Sequence, residues 1–208
     1  MKSAENPGSS NIGIIVLAAG ESTRLGMPKQ LLDYKGKSLL NRMLQAAGDS
    51  AGQPVMVVLG AYADQVKKEI TGTDAHVVLN HDWEKGMSTS IRYGLESLNR
   101  ENPNISGVIL MLCDQPYVTA ELLNELINTH STTGKSIVAC DYGNEFGPPA
   151  LFHKNLFPEL MALKGDVGAR SIVERHSDDL AVISFPGGQI DIDTKKDVEK
   201  LQEEHRGE

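Results

Sequence analysis

The sequence predicts a single three-layer α/β/α domain built on a mostly parallel sheet. Short apolar runs of strand length alternate with amphipathic helical stretches from Ile12 to Cys140, the order expected when helices cover both faces of a parallel sheet. No internal repeat and no linker interrupts that alternation. At 208 residues the chain is long enough for one domain with a substantial core, and its 40% apolar and 23% charged content is ordinary for a soluble globular protein.

The first eleven residues are polar, with Pro7, Gly8, Ser9 and Ser10, and read as a disordered lead-in; the folded domain is expected over 12–208. The lead-in contains no apolar stretch of the kind a signal peptide needs. Ile12 to Leu17 then forms a buried strand that runs into the small residues Ala18, Ala19 and Gly20. A polar loop with Arg24, Gly26 and Lys29 follows. Small residues after a buried strand let backbone N–H groups approach a phosphate, and the two cations add donors. The loop is not a P-loop, because Met27 and Pro28 separate Gly26 from Lys29, and it lacks the three close glycines of a dinucleotide fingerprint.

Ser38 is placed to cap a helix over Leu39 to Ala47. A second strand runs through VMVVLG to Gly60, and a short helix through Val66 and Ile70 closes at Thr71-Gly72. Val77 to Leu79 delivers Asn80, and Met87 to Leu98 reads as a helix ended by Asn102-Pro103-Asn104. Val108 to Cys113, the most apolar run, delivers Asp114, Gln115 and Pro116. Leu122 to Ile127 is helical and Ser136 to Cys140 extended. The last third is less regular: a turn at Gly147-Pro148-Pro149, a strand near Ala150 to Phe152, helices around Leu156 to Leu163 and Ala169 to Arg175, a strand at Ala181 to Phe185, then DIDT and a helix from Lys195 to Glu204.

A net charge of −8 offers no basic stripe for nucleic acid. No apolar run reaches membrane-spanning length. Cys113 and Cys140 each end an apolar run without zinc-like spacing, as buried cytoplasmic thiols do. The six histidines form no HxxH or HxxxH pair. In an open α/β sheet ligands sit beyond the carboxyl ends of the strands, where the opening loop, Asn80, Asp114 and DIDT converge. Asp114 either forms a turn before Pro116 or holds a Mg²⁺ shared with phosphates. Asp191 and Asp193 share one face if extended, and Asp193 or Thr194 can also cap the last helix. Asn80 carries a donor and an acceptor able to read a base edge. Ser88 and Ser90 open a helix whose N-terminus favours an anion, and Trp83 either packs under the loop or serves the site.

The stretch IIVLAAGESTRLGMPKQLL resembles the nucleotidyltransferase signature LAAGxSxRxGxPKxLL at each stated letter. Within that superfamily the chain is most similar to the molybdenum cofactor cytidylyltransferases, of the MobA-like NTP transferase family with its Rossmann-like nucleotidyltransferase domain. LCDQP, DIDT, the block from Asn80 through Trp83, Gly86, Ser90 and Gly94, and the segments GPPALF and GDVGARSI carry the likeness from Ile14 to Val198. Beyond Thr194 the match loosens, since Lys195-Lys196-Asp197-Val198 replaces PEDL.

The resemblance implies that Leu17, Ala18, Ala19, Gly20 and Ser22 hold the nucleotide, chiefly through main-chain amides. Asn80, Ser88 and Ser90 join them, and Arg24 and Lys29 bind phosphates and act in catalysis. It further implies Mg²⁺ on Asp114 and Asp193, with Asp191 the alternative, and acceptor binding by Gly147, Pro149 and Arg170. The implied partners are CTP and a phosphorylated molybdopterin cofactor, with a recipient molybdoenzyme or its chaperone downstream. GTP or a sugar phosphate as substrate, and a non-catalytic cofactor-handling chaperone, are the alternatives.

Overall fold

The structure, a computed structural model, describes residues 11–143, 145–190, 192 and 197. Strand β1 (Ile12–Ala18) is buried along its whole length. Alternate residues serve opposite faces, as the two-residue period of a strand requires. Ile12, Ile14, Val16 and Ala18 join one apolar cluster, and Ile15 and Leu17 the other. Asn11 is not part of a loose lead-in. Its side chain donates to the Asn104 carbonyl at 2.8 Å and accepts from Asn102 at 2.7 Å, pinning the start of β1.

A small hairpin, β2 (Asp33–Tyr34) with β3 (Lys37–Ser38), precedes α1 (Leu39–Gly48). The Ser38 hydroxyl accepts from the Asn41 amide at 3.2 Å, the expected cap. Then come β4 (Val55–Leu59), α2 (Ala63–Glu69), β5 (His76–Leu79), α3 (Met87–Glu101) and β6 (Gly107–Leu112). They are followed by α4 (Ala120–Thr133), β7 (Ile137–Asp141), β8 (Phe146–His153), α5 (Phe157–Ala162), α6 (Arg170–Arg175) and β9 (Leu180–Ser184). Helix α4 is longer than its apolar stripe alone suggests. Thr119 caps its start, and Gly134, left-handed at φ 67°, ends it.

The seven-stranded sheet has the order β5-β4-β1-β6-β8-β7-β9. Only β8 runs against its neighbours. Helices α1, α2 and α4 supply one apolar cluster, and α3, α5 and α6 the other. Close approach of α3 depends on two glycines: a Cβ at Gly94 would lie 2.7 Å from Ile15, and one at Gly13 would lie 2.4 Å from Leu98.

The turn expected at Gly147-Pro148-Pro149 is instead inside β8, and the chain reverses at Tyr142 to Glu145, where the Tyr142 amide donates to the Glu145 carbonyl at 3.0 Å. The prolines are tolerated because the β7–β8 register shifts there. Ala139 faces Ala150 and Cys140 faces Gly147, so Pro148 and Pro149 fall between paired positions and owe the ladder no N–H. Of the expected helix over Lys195 to Glu204 only Asp197 is among the described residues, and it is helical.

Candidate active site

Chain order fixes where the site forms. From β1 the chain winds outward to β4 and β5, then returns to place β6 on the other side of β1. The carboxyl ends of β1 and β6 therefore flank the topological switch point, where open α/β sheets bind ligands. Ala18, Ala19 and Gly20 leave β1 there, and Asp114 leaves β6 two residues beyond its last strand position. The Cys113 amide still donates to the Leu17 carbonyl at 3.3 Å, which holds the two strand ends together.

Lys29 reaches Asp114 across this gap. Its ammonium donates to Asp114 Oδ2, although 85 residues separate them in sequence. The pair is shielded, with side-chain exposures of 18% and 7%, so its attraction is screened less than that of a surface pair. Asp114 Oδ1 is buried and has no hydrogen-bond partner among the described residues. The loop between is shaped by positive φ at Ser22 (56°) and Gly26 (75°). The Ser22 carbonyl accepts from the Leu25 and Gly26 amides, and its hydroxyl accepts from the Lys29 amide at 3.3 Å. Arg24 is exposed on this loop.

The Ile192 amide donates to the Asp114 carbonyl at 3.3 Å, and Ile192 itself is fully buried against Tyr34 and Leu39. The centre of the DIDT segment is thus fixed beside Asp114, while Asp191 and Asp193 lie outside the described residues. No group of three histidine, cysteine or acidic side chains able to hold a metal occurs among the described residues.

Asn80, expected to read a base edge, is engaged within the protein. It is 2% exposed; its amide nitrogen donates to Thr89 and Ser90, both at 2.9 Å, and its oxygen accepts from the Asp82 amide at 2.9 Å. With donors and acceptor engaged inside the protein, Asn80 fastens β5 to the first turn of α3. Ser90 is buried as Asn80's partner. Ser88 is buried too, and its amide donates to the Gly165 carbonyl at 3.1 Å. That bond and the Asn80 clamp take up much of the polar capacity expected to meet an anion at this helix start. Asn80→Ala should cost about 2 kcal/mol of stability, because it removes these bonds and leaves buried partners unsatisfied; urea unfolding measures it, and a change under 0.5 kcal/mol would show the clamp to be idle.

The Gly165 contact docks the GDVGARSI block on the α3 start: a Cβ at Gly86 would lie 2.3 Å from Gly165. Two adjoining cavities open around this junction. One of about 460 Å³ is lined by Ala18, Ala19, Gly20, Lys29, Trp83 and Asp114, among others. The second, about 270 Å³, includes Ile91, Leu110, Phe152, Gln115, Gly147 and Arg170. Leu17, Met87, Leu112 and Asp166 line both, so they form one cleft with a polar and an apolar lobe. Trp83 combines its two expected roles, packing against the α3-side core while lining the polar lobe. A larger cavity, about 800 Å³, lies elsewhere, between the β2–β3 hairpin and the Thr71–Ala75 loop. Its lining includes none of the residues the sequence assigned to the site.

Arg170 is exposed and forms ion pairs with Glu145 at 2.5 Å and Glu174 at 3.1 Å. Glu145 first, then Glu174, raises its pKa further. It enters the apolar lobe as half of a charge pair rather than as an uncommitted cation. Pro149 does not line the cleft as Gly147 and Pro148 do. Burial, with the Asp114 charge adding to it, pushes the Cys113 thiol up to about 12, so no thiolate nucleophile is on offer. Gln30 escaped the sequence reading, and Gln115 entered it only as a letter of LCDQP. Gln30 donates to the Ala18 and Gly20 carbonyls, and Gln115 donates to Tyr142 Oη at 2.9 Å and the Gly188 carbonyl at 3.0 Å. A polar residue beside each motif letter was the available signal.

Residues 14–180 match the MobA-like NTP transferase domain. The chain belongs to that family. Among curated relatives, the purine catabolism protein PucB of Bacillus subtilis is 29% identical over 169 residues, 77% of this chain and 79% of that protein. Nicotine blue oxidoreductase of Paenarthrobacter nicotinovorans is 28% identical over 196 residues, 90% and 94% of the two chains. The crystal structure of Rv0371c from Mycobacterium tuberculosis H37Rv superposes with a TM-score of 0.78 at 32% identity, covering 92% of this chain and 97% of that one. A complex of Rv0371c with manganese superposes at 0.75, with the same 32% identity, covering 93% and 98%. No helix among the described residues of this MobA-like chain is long and apolar enough to cross a membrane.

Proposed function

We propose that this MobA-like protein transfers CMP from CTP to the phosphate of a molybdopterin-type molybdenum cofactor and releases pyrophosphate. The observation that carries this reading is the shielded Lys29–Asp114 pair beneath the Ala18–Gly20 loop, at the switch point of the sheet. The adjoining apolar lobe, with Ile91, Leu110 and Phe152, offers a surface against which the ring face of a pterin would pack.

In this reading an acceptor phosphate oxygen attacks the α-phosphorus of CTP, a new P–O bond forms, and the α–β bridge bond breaks, its electron pair leaving on pyrophosphate. The attacking phosphate is already anionic near neutral pH, so no general base is required. The protein's work is to align two anions and to offset charge on the transferring group. Lys29 supplies a positive charge at the β1–β6 gap, Arg24 reaches phosphates from the loop, and the backbone near Ala19 and Gly20 cradles them.

The site also fits a divalent cation. Asp114 Oδ1 is a buried carboxylate oxygen without a partner among the described residues, and hard cations take such oxygens. Asp114 with Asp193, or Asp191 in its place, would hold Mg²⁺; when bound, it would add positive charge at the phosphates. The manganese complex of Rv0371c supports a metal in the family without choosing Mg²⁺. Cytoplasmic location and delivery to a molybdoenzyme or its chaperone belong to the same proposal, as does a folded unit over 12–208.

A pyrophosphate-release assay crossing CTP, GTP, ATP and UTP with the molybdenum cofactor and a panel of sugar phosphates tests the reading. Release with CTP and the cofactor alone is expected; release only with a sugar phosphate would replace the acceptor. Ala19 gives a second test. It is 6% exposed and sits in the apolar cluster while lining the polar lobe; in this reading its methyl narrows the base slot. Ala19→Gly should move the CTP/GTP ratio of kcat/KM toward GTP by about tenfold, one methyl's worth of discrimination. An unmoved ratio would leave Ala19 a packing residue.

A further inference from the structure

Gln30 stands next to Lys29 yet points the opposite way, into the protein. It is 1% exposed, and its amide nitrogen donates to the Ala18 carbonyl at 2.8 Å and to the Gly20 carbonyl at 3.1 Å. Both partners are acceptors only, so the amide's orientation is fixed: a flipped amide would set oxygen against two carbonyl oxygens. A planar trans peptide points its C=O and the following N–H in opposite directions. Drawing the Ala18 and Gly20 carbonyls toward Gln30 therefore turns the Ala19 and Glu21 N–H groups away from it. The intervening Ala19 carbonyl is held separately, accepting from the Ala61 amide at 3.1 Å. Ala18, Ala19, Gly20 and Glu21 line the polar lobe and Gln30 does not, so the clamp lies behind the loop and the released amides lie in front of it.

We infer that Gln30 is the positioning residue of the phosphate loop, orienting the amides of Ala19 and Glu21 toward a nucleoside triphosphate. The inference rests on the proposed nucleotidyl transfer for the identity of the ligand. Gln30 touches no substrate and acts through the backbone. Its place in the short 3-10 turn Lys29–Leu31 also ties the loop's orientation to the base of the Lys29 side chain. A Gln here leaves its own Oε1 buried and without a partner among the described residues.

The test uses the full chain and measures binding of Mg²⁺-CTP and Mg²⁺-GTP by calorimetry. Gln30→Met keeps the side chain's length and removes the donor; both nucleotides should weaken together by about ten- to a hundredfold. Because the change acts on the phosphate-facing amides and leaves the Ala19 side chain in place, their ratio should hold. Gln30→Glu supplies the readout that a structural role would not move. At pH 8 the introduced carboxylate opposes both carbonyls and binding fails. Burial beside those oxygens favours the protonated carboxyl, which can donate one bond, so affinity relative to wild type should recover toward pH 5. Circular dichroism at both pH values confirms that the same folded protein is compared. Wild-type-like affinity in folded Gln30→Met, or a flat profile for Gln30→Glu, overturns the inference. Absence of nucleotide binding by the wild-type protein overturns it together with the transferase reading, and so separates the two failures.

Discussion

Lys29→Ala is expected to lower kcat by about 10²–10³ while changing CTP affinity far less, the loss usual when one preorganised charge is removed from a transition state. The ammonium is held at the β1–β6 gap by Asp114 and is shielded from solvent, which is where charge would build up on the transferring phosphoryl group. Ground-state phosphates have the loop amides and Arg24 as further partners, so binding should survive. Single-turnover kinetics with saturating CTP separates the two parameters. An unchanged turnover number would remove Lys29 from the chemistry and leave the ion pair as a structural link between the loop and β6. Lys29→Arg is not expected to rescue, because a planar fork cannot reproduce a compact point charge in this gap.

Asp114→Asn should be comparably damaging, by about 10² or more in kcat/KM. It removes one carboxylate from the place where a dication fits, and it leaves Lys29 without its counter-charge in a partly buried setting. The two effects are separable by titrating Mg²⁺. If Asp114 is a ligand, the variant needs more metal for half-maximal activity, and excess chelator abolishes wild-type activity. If it only positions Lys29, metal dependence stays put while the rate falls. Full activity in excess chelator would sink the metal assignment. Asp193→Asn should show the same raised metal requirement, and a silent result there would move the second ligand to Asp191.

Much of this was legible in the sequence for a definite reason. Apolar runs such as Ile12–Leu17 and Val108–Cys113 are buried on both faces, so composition alone marks them as strands of a covered sheet. Alternation then implied parallel order, and strand ends implied the site. What the sequence could not show were facts that depend on pairing partners. Gly147-Pro148-Pro149 reads as a turn in isolation, and only the register shift against β7 explains prolines inside a strand. Asn80 reads as a base-reading amide because donor and acceptor are both present; that Thr89 and Ser90 engage the donor and the Asp82 amide the acceptor is a tertiary fact. Arg170 likewise looked available until Glu145, from the turn before β8, was brought beside it. Gln30 went unread, and Gln115 was read only as a letter of LCDQP, because an uncharged amide announces nothing until its partners are known.

Following the phosphates tests the central claim most directly. Wild-type protein is supplied with the molybdenum cofactor and CTP labelled either at the α- or at the γ-phosphate. Nucleotidyl transfer predicts that the α label appears in a new cofactor dinucleotide and the γ label in pyrophosphate, in equal amounts. Appearance of the γ label on the acceptor or as inorganic phosphate, with the α label still in a free nucleotide, would contradict the account and make the cleft a site of terminal phosphoryl transfer or hydrolysis.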